Sequence, residues 1–266
     1  MMKRAVAVGF SCVDVYENLN KWYPTGNGID WGIHLARLGI PTAVVSAVGD
    51  DVYGQEMKKR LTEEGIEVSH LEIKKGRTCQ MLMALKNGVD RVHMQEISGV
   101  MEDYHITQDQ YEYAAGFDYL HTDLFGGVLE HLRGWHEQGV KIVMDFSVFT
   151  KEPEYHCMDI FPNVDYVFFS TNEEDEEALK AWMKEIKAQG PAVVTATMGE
   201  KGSISYDGDK FYCMGIHKAD VVNTVGAGDS YIAGFTYGLM TDSTIPVCME
   251  KGAQISAEVV ARFEPY

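Results

Sequence analysis

The residues best placed to do chemistry are Asn223-Thr224-Val225-Gly226-Ala227-Gly228-Asp229-Ser230, which lead into an apolar stretch at residues 231–240. Two glycines flank Ala227 at an expected helix start. Free backbone N–H groups point outward at such a start and the helix dipole adds positive potential, which suits an anion such as a phosphoryl group in transfer. Asp229 stands beside it. A carboxylate there can accept the proton of an attacking hydroxyl while the N–H groups stabilise the developing charge. The competing reading is a glycine-rich turn with Asp229 as a helix cap. A second cluster, Thr197-Met198-Gly199-Glu200-Lys201-Gly202-Ser203, lacks the G-x-x-x-x-G-K-[ST] spacing of a phosphate-binding loop and alone reads as a strand-to-hairpin turn. A third, Thr25-Gly26-Asn27-Gly28-Ile29-Asp30, precedes a helical pattern, but Trp31 breaks the G-x-G-x-x-G spacing of a dinucleotide site.

These residues need a frame to hold them. Residues 5–10 form a continuous apolar run, as a buried strand would. Residues 28–38 have a helical pattern with Leu35 and Leu38 on one side, stopped by Gly39 and Pro41. A strand follows at 43–48 and a helix at 52–64, closed by Gly65. Residues 79–85 and 91–95 flank Asn87-Gly88, a hairpin signal that marks a separate small sheet or flap. Alternation then resumes, with strands at 117–121, 140–145, 164–169 and 191–197 and helices at 128–138 and 172–189. A second hairpin at 203–206 and 210–213 turns about Asp207-Gly208, and helices follow at about 226–240 and 245–262. Strands alternating with helices argue for an α/β fold, its mostly parallel sheet covered on both faces. No repeat, low-complexity tract or linker divides the 266 residues.

Composition narrows the partners. A hydrophobic fraction of 45% and a charged fraction of 24% are those of a soluble globular chain. Lys plus Arg is 23 against 40 Asp plus Glu, a net charge of −17 that repels nucleic-acid phosphate and anionic lipid. The five cysteines include no C-x-x-C, which suits a reducing cytosol and argues against a disulfide framework or a cysteine-built zinc site. The nine histidines include no H-E-x-x-H. No apolar run reaches membrane-spanning length, and the start reads as a first strand rather than a signal peptide. The expectation is a cytoplasmic protein with no nucleic-acid or membrane partner.

At this order and spacing, with Gly9-x-x-x-x-Asp14 after the first strand, the three glycine clusters resemble the ribokinase-like (PfkB) family of carbohydrate kinases. The resemblance covers essentially the whole chain, and Thr224-Val225-Gly226-Ala227-Gly228-Asp229 matches the family's most specific motif. The segments Val13-Asp14-Val15-Tyr16, Val48-Gly49-Asp50-Asp51-Val52-Tyr53-Gly54, Asp90-Arg91-Val92, Gly99-Val100-Met101 and Met144-Asp145-Phe146-Ser147 resemble those of its bacterial members that phosphorylate fructoselysine. The resemblance implies a three-layer α/β/α sandwich over residues 1–266 as one kinase domain, with a small β lid from about 11–25 and 76–96. It implies ATP- and Mg²⁺-dependent transfer of the γ-phosphate to a sugar hydroxyl, the 6-hydroxyl of fructoselysine. The alternatives are a kinase of another small sugar or nucleoside, or a non-catalytic sugar- or nucleotide-binding regulator.

Position by position, the resemblance makes Asp229 the catalytic base and Gly226, Ala227 and Gly228 the anion hole. Asp14, Gly26, Asn27 and Asp30 line the sugar site, and Arg91 is the lid arginine, a substrate-binding residue that approaches the substrate or the partner subunit. Thr197, Gly199 and Gly202 border the nucleotide, with Ala253 and Ser256 near the adenine. Glu173 helps to hold hydrated Mg²⁺ through water, although its acidic run also reads as a solvated helix start. Ser170 or Asn172, and Glu173 or Asp175, compete for the family's N-x-x-E positions. A homodimer through the lid is expected. Three residues depart from the family pattern: Thr25 for a glycine, Asp30 for a common asparagine, and Asn223 for an aspartate. That aspartate lies in a loop which in many members binds a monovalent cation, so K⁺ activation is left open. Trp31 reads as helix-to-sheet core; Tyr16, Trp22 and Tyr23, in a polar stretch, read as exposed or flap residues that could pack on the aliphatic part of an aminoacyl-sugar.

Overall fold

The computed structural model describes residues 2–86 and 90–266. Its elements run β1 (Ala5–Val8), β2 (Cys12–Tyr16), β3 (Lys21–Thr25), α1 (Asn27–Arg37), β4 (Thr42–Gly49), α2 (Val52–Glu63), β5 (Glu67–Lys74), β6 (Gln80–Lys86) and β7 (Asp90–Ile97). Then come α3 (Gln108–Ala114), β8 (Tyr119–Asp123), α4 (Leu132–Glu137), β9 (Lys141–Asp145), α5 (Cys157–Ile160), β10 (Tyr166–Ser170) and α6 (Glu176–Ala188). Last are β11 (Val193–Thr197), β12 (Ser203–Tyr206), β13 (Phe211–Met214), α7 (Ala227–Met240) and α8 (Ile245–Val260).

A nine-stranded sheet has the order β13-β12-β11-β10-β9-β8-β1-β4-β5. All its pairs are parallel except the hairpin that β12 and β13 add at one edge. β1 lies inside it and is buried on both faces, which its unbroken Ala-Val-Ala-Val allows. One face is covered by α1, α2, α7 and α8, which bring Trp31, Met57, Phe235 and Met249. The other is covered by α3, α4, α5 and α6, with Trp135, Phe161 and Met183. This is the covered parallel sheet expected from the alternating pattern. In α6 the inward residues Leu179, Met183 and Ile186 recur at helical spacing, each contributing about 2 kcal/mol by burial.

The second sheet is small, of order β3-β2-β6-β7. β2 and β6 are parallel and the outer pairs antiparallel. It is the separate sheet that the hairpin signal marked; the Asn87-Gly88 turn lies outside the described residues. Its inner face packs Tyr16, Tyr23 and Met83 on Val225, just ahead of α7, with Phe263 alongside. Its base is braced by Asp51. That carboxylate caps α2 through Gly54 N (2.9 Å) and accepts the Thr78 hydroxyl (2.6 Å) and amide (3.0 Å) just before β6.

Several local expectations need correction. Tyr16 and Tyr23 lie on the small sheet but are buried rather than exposed; of the three aromatics only Trp22 is exposed, packed edge-on against Tyr53. The helix expected at 172–189 starts at Glu176, because Asp175 accepts the N–H groups of Glu177 and Ala178 and ends the extended segment there. The 128–138 helix opens as a 3₁₀ turn, Leu129–His131, before α4. Trp31 is core, as expected.

Candidate active site

Strand order reverses at β1: the chain goes out through β4 and β5, then resumes on the other side at β8. The crevice beyond the carboxyl ends of such neighbouring strands is where open α/β sheets take ligands. Here the floor is narrow. Gly9, after β1, approaches Gly126, after β8, so closely that a Cβ on Gly9 would sit 2.7 Å from the Gly126 Cα.

Asp229 lies in the first turn of α7 and is 7% exposed. Gly226 caps that helix with φ +70°, the left-handed region, and a Cβ there would clash with Pro265. Gly228 differs: a Cβ added to it would meet open space. The turn therefore presents an unfilled cradle at a helix start, with a buried carboxylate beside it. Ala227 begins the helix between them.

On the sugar side, Gly26 caps α1 and Asn27 opens it. The Asn27 amide donates to Asp145 Oδ2 (3.1 Å) at the end of β9, while Asp145 Oδ1 accepts Ser147 N (2.8 Å). Asp145 is paired in register with Asp123 of β8. Burial pushes the Asp123 carboxyl up to about 7; the N–H of Phe125 opposes this and the Asp145 charge adds to it. Asp14 is buried in β2, in register between Tyr23 and Met81. Asp14 and Asp30 both help to raise the Cys12 thiol, after burial, which places the three side chains in one neighbourhood. Asp30 itself accepts the Thr25 hydroxyl at 2.7 Å, both residues being buried. Two of the three departures from the family pattern are thus hydrogen-bonded to each other. Arg91 lies in β7, in register with Leu85.

On the nucleotide side, Thr197 ends β11 and its hydroxyl meets that of Ser170 at 3.0 Å. Gly199 and Gly202 close the following turn through Gly202 N to Gly199 O (3.0 Å), and both have positive φ. Ala253 and Ser256 lie on α8, which packs on α7 and on the β12–β13 hairpin; Ala253 is buried and Ser256 half-buried. Glu173 lies in the loop before α6, with Oε1 accepting Asp175 N (3.1 Å) and Oε2 3.9 Å from Lys151. Among the described residues no three His, Cys, Asp or Glu side chains converge on a metal position. One paired carboxylate fits contact through water with an ion carried by phosphates, the usual habit of Mg²⁺.

A monovalent cation fits less well. Asn223 is fully buried ahead of α7, and its side-chain N–H points at the Phe263 carbonyl (2.9 Å). An ammonia-like donor, not a lone pair, faces that oxygen. Sequence reasoning also passed over Asp123 and the residues after α8. Asp123 had a weak signal, a carboxylate closing a strand whose His121 and Thr122 are also buried.

The chain is 35% identical over 259 residues to the fructoselysine 6-kinase of Shigella flexneri, covering 97% of this chain and 98% of that one. It is 34% identical over 259 residues, with the same coverage, to the fructoselysine 6-kinase of Escherichia coli (strain K12). The structure of Arabidopsis thaliana ribokinase complexed with ribose and ATP matches with a TM-score of 0.83 at 17% identity, over 98% of this chain and 93% of that one. An E. coli chain described as a ribokinase II in complex with ATP and Mg²⁺ matches with a TM-score of 0.81 at 15% identity, over 99% and 94%. These likenesses establish the ribokinase-like fold. Residues 14–266 match the pfkB family of carbohydrate kinases, and the chain belongs to that family.

Proposed function

We propose that the chain is an ATP-dependent kinase that transfers the γ-phosphate to the 6-hydroxyl of fructoselysine. The observation that carries the phosphoryl-transfer reading is the open cradle at Gly228 beside buried Asp229. The substrate reading rests on the fructoselysine 6-kinases that resemble the chain along its length. In this reading the N–H groups of residues 226–228 stabilise charge developing on the phosphoryl oxygens, and Asp229 takes the hydroxyl proton as the new O–P bond forms. Asn27, held by Asp145, and Asp14 orient the sugar. Thr197, Gly199, Gly202, Ala253 and Ser256 border ATP, and Glu173 would hold, through water, a Mg²⁺ that neutralises charge on the phosphates.

The small sheet is the lid of this one catalytic unit, and closing it excludes water that would otherwise hydrolyse ATP. Its edge strand β7 exposes Met94, and β3 exposes Trp22. We assign the β7 edge, opposite β3, to a homodimer contact, since an open sheet edge invites pairing. The five free cysteines accord with a cytoplasmic setting.

The test is ADP release with Mg·ATP against fructoselysine, fructose, ribose and adenosine. Selective turnover of fructoselysine supports the proposal. Selective turnover of another acceptor keeps the kinase and discards the substrate. No turnover with any acceptor favours a binding regulator. Light scattering of a Met94→Lys variant tests the dimer: an unchanged mass refutes the edge contact.

A further inference from the structure

Asn223 is the third departure from the family pattern, and its surroundings define what it does. Its Oδ1 accepts the Val225 N–H at 3.1 Å. Its Nδ2 donates to Phe263 O at 2.9 Å and reaches the Tyr16 hydroxyl at 3.5 Å. A backbone N–H only donates and a backbone carbonyl only accepts, so these two partners fix which end of the amide faces which. The nitrogen therefore stands between two oxygens, the Phe263 carbonyl and the Tyr16 hydroxyl, and occupies lone pairs that a cation would otherwise take.

Phe263 begins a short segment that touches the cradle, the sugar-side helix and the small sheet. Pro265 packs directly against the Gly226 turn. The Pro265 carbonyl accepts from His34 Nε2 of α1 at 2.9 Å, and the Tyr266 hydroxyl donates to Pro24 O of β3 at 2.7 Å. Tyr16 and Tyr23 of the small sheet pack on the Phe263 ring. Residues 263–266 thus join the cradle to the sugar-side helix and to the lid sheet, and Asn223 is their side-chain tie to the turn ahead of α7.

We propose that the Asn223 side-chain amide is a built-in substitute for a monovalent cation, positioning the cradle at α7 so that turnover is independent of K⁺. Asn223 is a positioning residue: it acts through the turn and touches no substrate. An amide brings donors without net charge, so the charge at the cradle comes from the helix start alone. The inference rests on the family's phosphoryl transfer and not on which sugar is taken.

The experiment compares the protein in KCl and in tetramethylammonium chloride at equal ionic strength, by melting temperature without substrate and by ADP release with whichever sugar turns over. For the natural sequence both readouts are expected to be the same in the two salts. In Asn223→Asp a carboxylate faces the Phe263 carbonyl. Turnover in tetramethylammonium is expected to fall by about tenfold to a hundredfold, as for a small misplacement of the site, and K⁺ is expected to restore both turnover and melting temperature. A K⁺-dependent rise in melting temperature or turnover of the natural sequence would overturn the proposal, even if the variant failed to fold. So would a folded Asn223→Asp protein equally impaired in both salts, since the amide would then be a structural bond with no cation equivalence. The melting readout needs no acceptor, so an error about the sugar leaves it intact.

Discussion

Gly228→Ala separates folding from catalysis at one atom. The added methyl meets no neighbour within 4 Å, so it costs no packing. Gly228 lies inside α7, where alanine is favoured over glycine by about 0.5–1 kcal/mol. The variant should therefore melt roughly 1–4 °C higher than the parent. The same methyl occupies the cradle and holds the transferring group away from the N–H donors. Losing one such donor costs about 100- to 1,000-fold in turnover. Differential scanning calorimetry and ADP release on one preparation read both effects. A protein that is more stable and nearly inactive supports the anion-hole reading. Full turnover with the raised melting temperature would refute it, since the space in front of Gly228 would then hold nothing that matters. Gly226→Ala is the control in the opposite direction: it strains a left-handed residue and collides with Pro265, so it should lower the melting temperature as well as turnover.

Asp229→Asn keeps the shape of the site and removes the base; turnover should fall by about 100- to 10,000-fold with little change in nucleotide affinity by calorimetry. Asp123→Asn tests the buried member of the Asp123–Asp145 pair. A carboxyl raised to about 7 destabilises the fold progressively as pH climbs from the ordinary carboxylate range through 7, because the folded state holds the extra proton. The variant should gain stability over the parent at pH 8 relative to pH 5, by about 2 kcal/mol; equal gains at both pH values would count against a protonated Asp123. Asp51→Ala removes the α2 cap and the Thr78 bonds at the base of the small sheet. It should cost about 2 kcal/mol and raise the sugar KM more than it lowers kcat; unchanged KM would disconnect that brace from the lid.

The parallel sheet was legible because β1, β4, β9, β10 and β11 are largely runs of apolar and β-branched residues separated by helical patterns and marked by turn residues. The α7 turn was legible because Gly226, Gly228 and Asp229 stand at fixed offsets from an apolar helix. What could not be read depends on distant contacts. Tyr16 and Tyr23 sit among Glu17, Asn18, Asn20 and Lys21, a polar stretch that suggests exposure. Their burial comes from Val225 and Phe263, more than 200 positions away, which no local pattern encodes. The strand β5 alternates between exposed and half-buried and carries little apolar signal, and α3 spans only 7 residues, so neither was anticipated. In the acidic run 172–177, several carboxylates were equivalent as letters; only the geometry shows that Asp175 caps α6 and Glu173 lies outside it.

The Thr25–Asp30 bond constrains the order in which this site can change by mutation. Converting Thr25 to glycine first removes a donor from a buried carboxylate, so that intermediate carries the cost of a weakened buried charge. Converting Asp30 to asparagine first leaves a carbonyl oxygen that still accepts the threonine hydroxyl. The two routes to the common family pair reach the same end point, but one crosses a valley and the other does not. Laboratory evolution toward other sugars should therefore record Asp30 substitutions before Thr25 substitutions. A library randomised at Thr25 alone should be depleted of active clones.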